Sequence, residues 1–200
     1  MQKLLSTMLL VAGVGLFAPL ALAEPVGNAP PPSAPPPREH KEFSSNEVLK
    51  KATDFFGNTT KGLAEAIEKL FKDQGSPDAI ITGEEGGGAV VVGLRYGHGT
   101  LETASGIRRD IYWQGPSVGF DVGGNAAKTF TLIYHLNDVD QIYQRFPGVD
   151  GSLYFVAGLS INYQRSGDIT IAPIRTGVGW RQGANIGYLH YTREKSYNPL

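Results

Sequence analysis

The sequence predicts a mainly β protein: a small closed antiparallel β-barrel of about 8–10 strands, with two N-terminal amphipathic helices and one short inserted helix. Two observations predict this fold class. Apolar residues recur with a helical period up to about residue 75 and alternate with a period of two beyond it. Twenty of the 26 glycines lie between residues 83 and 187, in segments that still carry Val, Ile, Phe, Tyr and Trp. Glycines inside apolar runs indicate strands that bend or pack closely, as closure of a small barrel requires.

An export signal is predicted at residues 1–23. Lys3 precedes an apolar run at residues 8–17, and Ala21 and Ala23 are small residues at the positions that signal-peptide cleavage requires. The run is shorter than the roughly 20 apolar residues of a spanning helix. We therefore expect cleavage after Ala23 and a soluble protein in the periplasm, with a retained membrane anchor as the alternative.

Residues 24–43 are predicted to form a proline-rich tether. Two proline triplets, at residues 30–32 and 35–37, favour a stiff polyproline II conformation that joins no core. Such a segment holds a folded domain away from the surface to which it is attached.

The composition excludes several classes of function. The chain contains no cysteine, so disulfides, thiol catalysis and cysteine-based metal sites are excluded. Its net charge of −1 lacks the basic excess of a nucleic-acid-binding protein. The four histidines show no metal-ligand spacing. We therefore expect no metal, no cofactor and no nucleic-acid partner.

Residues 44–75 carry the two predicted helices. Ser44 and Glu47 match a capping box that begins the first helix, and Gly57 ends it. The second helix runs from about residue 60 to residue 74 and ends at Gly75. Its apolar residues fall on one stripe: Leu63, Ile67, Leu70 and Phe71.

Residues 76–195 are predicted to form the barrel, and residues 196–200 a tail. Apolar or alternating runs predict strands at residues 89–96, 110–113, 117–124, 127–136, 151–163, 168–180 and 184–192, interrupted by a short helix at about residues 137–145. The clearest alternation is at residues 151–163. Glycines predict turns at residues 86–88 and 97–99, and Gly115-Pro116 predicts the turn that leads into the third strand.

Two motifs at residues 113–125 suggest chemistry. Gly115-Pro116-Ser117-Val118-Gly119 has the spacing of a hydrolase nucleophile elbow, with His190 downstream as a candidate base. However, an elbow places its serine on a turn from a strand into a helix, whereas Ser117 begins a predicted strand. The glycine pair at residues 123–124 lacks the spacing of a phosphate-binding loop. A serine hydrolase using Ser117 is therefore kept only as an alternative.

Arginines and aromatic residues cluster in the barrel half and are the candidate ligand-binding residues. Arginine suits bidentate binding of phosphate or carboxylate, and aromatic side chains combine an apolar body with a polar tip. The candidates are Tyr96, Arg108, Arg109, Trp113, Trp180 and Arg181. Ordinary surface charge pairing is the competing interpretation of the arginines.

Three stretches of the barrel half resemble a known family. They are GLRYGHGTL at residues 93–101, WQGPSVGFDVGG at residues 113–124 and LIYHLN at residues 132–137. They resemble the envelope integrity protein A (EipA) family of alphaproteobacteria and, more distantly, the SYLF lipid-binding domain. The first resemblance implies a periplasmic β-barrel that maintains the cell envelope, with no established molecular activity. The second implies phospholipid binding, although phosphoinositides do not suit an exported protein.

These observations together predict a non-enzymatic periplasmic β-barrel that supports envelope integrity by binding a lipid or another envelope component. The alternatives are a scaffold for another envelope protein, the serine hydrolase named above, and an outer-membrane barrel. The last rests on the alternation at residues 151–163, and charged residues within many strands count against it. The partner is expected to be an envelope lipid, glycan or protein, and the N-terminal helices are candidates for peripheral contact with a membrane.

Overall fold

The computed structural model describes residues 41–57, 61–121, 127–156, 158–176 and 187–196. These residues belong to one compact unit, Arg38–Leu200. The predicted signal peptide, most of the predicted tether and two candidate residues, Trp180 and Arg181, lie outside the described residues. Within the described ranges, no helix has the length and apolar character that crossing a membrane requires.

Two helices come first, as the sequence predicts. Helix α1 spans Ser45–Phe56, and the predicted capping box is present: the Ser44 hydroxyl accepts from the Glu47 amide, and the Glu47 carboxylate accepts from the Ser44 amide. Gly57 ends α1 in the left-handed conformation, at φ 85°. Helix α2 spans Lys61–Gln74.

In the part of the chain that the structure describes, seven strands form a closed antiparallel barrel, which confirms the predicted fold class. They are β1 (Ala79–Thr103), β2 (Arg108–Asp121), β3 (Ala127–Tyr134), β4 (Arg145–Val156), β5 (Leu159–Ser166), β6 (Ile169–Thr176) and β7 (Tyr188–Thr192). Their order around the barrel is β1-β2-β7-β4-β5-β6-β3, with β3 pairing back to β1. The inserted helix is a single 3₁₀ turn at Val139–Ile142, shorter than the predicted helix at residues 137–145.

Strand β1 acts as two strands. Residues 79–85 pair with β3, and residues 89–102 pair with β2. A Cβ atom placed on Gly83 would lie within 3.0 Å of Gly99, and one placed on Gly87 would collide with the carbonyl of Leu94. The two halves of β1 therefore run antiparallel and pack against each other. We call this contact, at Gly83, Gly87, Leu94 and Gly99, the seam. When the two halves of β1 are counted as separate strands, the described barrel has eight strand segments. The seam lies between the half that pairs with β3 and the half that pairs with β2.

The barrel wall separates two hydrophobic cores. Ile81, Ile111, Ile133 and Ile171 belong to the inner core, which the 3₁₀ helix joins at one end through Ile142. The outer core lies on the opposite face of β3, β5 and β6, which α1 and α2 cover. It comprises Leu63, Ile67, Leu70, Phe130, Leu132, Ile161, Tyr163, Ile174 and their neighbours. Both faces of these three strands are therefore buried.

Polar contacts attach the helices to the barrel. Lys51 on α1 donates to both carboxylate oxygens of Glu102 on β1, at 3.0 Å. On α2, Asp73 accepts from the Tyr163 hydroxyl of β5 at 2.9 Å. The helices are thus an integral part of the fold.

Four sequence predictions about local structure are wrong. The strand predicted at residues 151–163 is a hairpin of β4 and β5, because Gly158 adopts φ 93° and reverses the chain. Residues 97–99 form part of β1 instead of a turn. Gly97 makes room for Trp113, and Gly99 packs against Thr82 and Gly83. Gly115-Pro116 lies within the continuous strand β2, where Gly115 packs against the carbonyl of Tyr188. Residues 86–88 likewise belong to β1.

Candidate functional site

Trp113 lies inside the barrel, on the inner face of β2, and only 3% of its surface is exposed. Gly97 is its direct partner across the β1–β2 ladder. A Cβ atom on Gly97 would lie within 3.0 Å of three indole atoms, and a Cβ atom on Gly83 would lie 2.7 Å from the ring. The indole therefore occupies the space that two glycine positions leave free. The predicted candidate Trp113 is thus an interior residue rather than one on the barrel rim.

The indole of Trp113 reaches a buried ionic group, which we call the lumen cluster: Glu85, Arg95, Trp113, Asn162 and Arg175. Trp113 Nε1 donates to Glu85 Oε2 at 3.1 Å, and Arg175 Nε donates to Glu85 Oε1 at 2.5 Å. Arg95 Nη1 lies 3.7 Å from the same carboxylate. Arg175 also donates through Nη1 to Asn162 Oδ1 at 2.6 Å. Four strands (β1, β2, β5 and β6) contribute to this cluster.

The electrostatics of the lumen cluster keep its acid ionised. Burial by itself raises the pKa of Glu85, but the guanidinium groups of Arg175 and Arg95 and the indole hydrogen bond outweigh it and hold this pKa below its ordinary value. Tyr191 lies beside the cluster, with its ring centroid 6.0 Å from that of Trp113, and burial raises the pKa of its hydroxyl. An uncompensated charge in this position would be strongly destabilising.

Sequence reasoning found one member of the lumen cluster, Trp113, and missed the others. Glu85 and Arg175 lie 90 positions apart in the chain, so no local pattern connects them. One signal was available for Glu85. It continues the alternation of Ala79, Ile81 and Gly83, which places it on the inner face of a strand.

A second feature is a groove on the outer face of the barrel, which we call the Tyr96 groove. Its volume is about 490 Å³. It follows strands β1, β2 and β7 and is lined by Tyr96, Gly97, His98, Tyr112, Trp113, Gln114, Thr192, Lys195 and Ser196. Tyr96 pairs with Gln114, and Tyr112 pairs with both His98 and Thr192. Two of the predicted candidates, Tyr96 and Trp113, contribute to the lining of the Tyr96 groove, although the indole of Trp113 lies in the inner core.

The remaining predicted candidates lie elsewhere. Arg108 is exposed and forms an ion pair with Glu102 at 3.1 Å. Arg109 lines a separate polar cavity of about 380 Å³ beside the 3₁₀ helix, together with Asp78, Asp138 and other residues. The two arginines therefore do not join Tyr96 in one groove. Trp180 and Arg181 fall outside the described residues, so their candidacy stays a prediction.

The described residues supply little for catalysis. In the ranges given above, no group of three or more His, Cys, Asp or Glu residues is placed to hold a metal ion. Ser117 lies within β2, paired with Gly93, and not on a turn from a strand into a helix. Its position therefore differs from that of an elbow nucleophile. Burial and the nearby Arg145 hold the pKa of His190 below its ordinary value.

The comparison with known proteins agrees with this architecture. A sequence profile described as "Envelope integrity protein A" matches residues 41–200. The chain belongs to the envelope integrity protein A family. The crystal structure of a β-barrel-like, uncharacterised protein from Brucella abortus is 43% identical, with a TM-score of 0.73, and the match covers 80% of this chain and 99% of that one. No functionally curated protein matches the chain.

Membership of the envelope integrity protein A family confirms the resemblance that the three sequence stretches predict. The family description indicates a role in the integrity of the cell envelope, and the Brucella abortus protein is similar in fold. The envelope integrity protein A family is not a known enzyme family. The more distant resemblance to the SYLF domain stays a prediction.

Proposed function

We propose that this envelope integrity protein A member is an exported, non-enzymatic protein of the periplasm that binds a glycan-bearing component of the envelope in the Tyr96 groove. The observation that carries the proposal is the groove itself: two tyrosine side chains and several hydrogen-bonding groups line one open cavity on a rigid sheet. The signal predicted at residues 1–23 and the proline-rich tether support the periplasmic location.

The lining of the Tyr96 groove suits a sugar. Tyr96 and Tyr112 are half-buried, so each offers part of an aromatic ring as a flat apolar contact for the C–H face of a pyranose. Gln114, Thr192 and Ser196 bring amide and hydroxyl groups to the same cavity. Lys195 adds a positive charge, and the described lining contains no carboxylate. A neutral or acidic glycan is therefore favoured over a cationic ligand.

The arrangement of the helices supports a water-soluble barrel. In a barrel that spans a membrane, the outer wall faces lipid. Here α1 and α2 cover the outer face of β3, β5 and β6, and Phe130, Leu132 and Ile174 pack beneath them. The Tyr96 groove lies on other strands, β1, β2 and β7. We therefore place the ligand on a part of the wall that α1 and α2 do not cover.

The proposal is tested by binding of the purified protein to soluble peptidoglycan fragments, to lipopolysaccharide and to phospholipid vesicles. We expect binding to a glycan-bearing probe, and Tyr96→Ala is expected to weaken it by about 10-fold, equivalent to about 1.4 kcal/mol. Tyr188→Ala is the matched control, because Tyr188 lies on the outer face of β7 and does not line the groove.

Two results would contradict the glycan proposal. One is failure of the wild-type protein to bind any glycan-bearing probe, and the other is an equal loss in the Tyr96→Ala and Tyr188→Ala variants. Binding to phospholipid vesicles alone would favour the lipid-binding function that the sequence also predicts. Recovery of a crosslinked envelope protein without glycan binding would favour the scaffold alternative.

A further inference from the structure

Among the residues that the structure describes, three buried polar atoms in the lumen cluster and beside it have no hydrogen-bond partner. They are Thr129 Oγ1, Asn162 Nδ2 and Arg175 Nη2. Thr129 is 1% exposed and Asn162 is 3% exposed. Burial of a polar group without a partner costs free energy, so folded proteins seldom leave several such groups together. An unexplained set of this kind on one wall indicates a missing partner.

The three atoms belong to one patch of the inner wall. Arg175 on β6 lies directly opposite Thr129 on β3 and opposite Ser160 on β5. Asn162 lies two residues along β5 from Ser160 and is held by Arg175 through its Oδ1 atom. Since Oδ1 is the accepting atom, the Nδ2 donor of Asn162 remains for another group. The patch thus offers an amide donor, a guanidinium donor and a hydroxyl.

The guanidinium group of Arg175 favours a negative partner. Its Nε donates to Glu85 and its Nη1 to Asn162, and these bonds leave Nη2 without an acceptor. A guanidinium N–H group makes its strongest hydrogen bonds to anions. A carboxylate or a phosphate supplies such an acceptor.

The patch lies near an exposed apolar side chain on the same inner face. Phe155 on β4 pairs with Ser160, which pairs with Arg175, so all three share the inner face. Phe155 is nevertheless 52% exposed, whereas Ile171, four positions from Arg175 on the same face of β6, is completely buried. Among the described residues, exposure on the inner face therefore increases from Ile171 towards Phe155, and an apolar ring is accessible beside Arg175.

We propose that the lumen is a second binding site, which takes the anionic head of an amphiphile, with its carboxylate or phosphate on Arg175, Asn162 and Thr129 and its acyl chain directed past Phe155. This site lies inside the barrel, whereas the Tyr96 groove lies on the outside, and the inference does not rest on the glycan proposal. The shared chemistry is an anion joined to an apolar chain, from either a fatty acid or a lipid phosphate.

Calorimetric titration of the purified protein tests the lumen site with matched probes. Decanoate and decyl phosphate carry the anion and the chain, decanol carries the chain alone, and inorganic phosphate carries the anion alone. We expect at least one of the two anionic amphiphiles to bind about 10-fold more tightly than decanol and inorganic phosphate do. Stronger binding of decanoate assigns the carboxylate, and stronger binding of decyl phosphate assigns the phosphate.

Variants locate the site. Thr129→Val keeps the shape of the side chain and removes the unpartnered hydroxyl, so we expect about 5-fold weaker amphiphile binding with unchanged or higher Tm of the free protein. Arg175→Lys keeps the positive charge but removes the planar guanidinium group, which can bind an anion through two N–H groups. We expect this variant to weaken amphiphile binding further. Arg108→Ala, on the exposed end of β2, and Tyr96→Ala are the controls and should bind as the wild type does.

Equal affinities for decanol and the better anionic amphiphile would overturn the proposal, and so would a Thr129→Val variant with wild-type affinity and unchanged Tm. Inorganic phosphate binding as tightly as decyl phosphate would overturn the part that concerns the acyl chain. Loss of amphiphile binding in Tyr96→Ala would place the ligand in the outer groove and so contradict the lumen site.

Discussion

Replacing Gly97 with alanine tests the packing that holds Trp113 inside the barrel. The new methyl group would lie within 3.0 Å of three indole atoms, including Nε1. Ordinary contact begins at 3.4 Å, so the ring must move by roughly 1 Å. Nε1 is also the atom that donates to Glu85 at 3.1 Å, and a displacement of this size breaks that bond.

The expected loss of stability has two parts. Overpacking a dense interior costs about 1–3 kcal/mol. Loss of a buried hydrogen bond to a charged group costs about 1.5–3 kcal/mol. We therefore expect Gly97→Ala to lower the free energy of unfolding by about 3–5 kcal/mol, which corresponds to a decrease in Tm of about 10–15 °C for a domain of this size.

Urea unfolding followed by circular dichroism measures the effect of Gly97→Ala. Gly86→Ala is the matched control, because Gly86 is also in β1 and a Cβ atom there meets nothing within 4 Å. We expect this control to change stability by less than about 0.5 kcal/mol. A Gly97→Ala variant within about 0.5 kcal/mol of the wild type would refute the packing argument, as would a smaller loss in Gly97→Ala than in Gly86→Ala.

Three further predictions concern the helical layer, and urea unfolding checks each. Leu70→Ala, at a fully buried position, is expected to cost about 2–5 kcal/mol, and wild-type stability would contradict the outer core. Gly57→Ala is expected to cost about 1–2 kcal/mol, because alanine is strained at φ 85°. Tyr163→Phe removes a bond to Asp73, whose pKa Lys69 and Tyr163 hold below its ordinary value of 3.8. Asp73 therefore contributes stability that is present above about pH 4 and is lost as the pH falls through its lowered pKa. The difference between Tyr163→Phe and wild type should accordingly be larger at pH 7 than at pH 3, and an equal difference at both would contradict it.

The helices and the barrel were predictable because their signals are local. Ser44 and Glu47 lie three positions apart, and the apolar stripe of α2 repeats at helical spacing. The predicted barrel follows from alternation and from the number of glycines. What those glycines do was not predictable, because the role of Gly97 depends on Trp113, which lies on a different strand.

The hairpin of β4 and β5 shows another limit of sequence reasoning. Pairing of Val156 with Leu159 and of Phe155 with Ser160 exchanges the faces of odd-numbered and even-numbered residues at Gly158. The apolar alternation nevertheless continues, because the odd-numbered residues lie on the inner face before the turn and in the outer core after it. A continuous period of two therefore fits one long strand and a hairpin equally well. The left-handed backbone of Gly158, at φ 93°, produces the hairpin. In a glycine-rich chain, the sequence alone does not indicate which glycine forms a turn.

The lumen cluster was mostly unpredictable for an energetic reason. Isolated charged side chains are rarely buried, so Glu85 and Arg175 are expected on the surface when each is considered alone. Only their pairing makes burial tolerable, and the pair is formed by strands β1 and β6. The sequence prediction of Trp113 as a ligand-binding residue stays a prediction, and the structure places its indole inside the barrel.

The seam within β1 and strand β7 differ in how far apart in the chain their contacting residues lie. Gly83 and Gly99 are about 16 residues apart in the chain, so their contact closes a short loop at small entropic cost. The contacts of strand β7 join residues that are far apart in the chain. It pairs with β2 across nearly 80 residues, and it also pairs with β4. Long-range pairings of this kind form slowly. The ring therefore remains open between β2 and β4 until residues 188–192 are available, and the last short strand, rather than the seam, completes the fold.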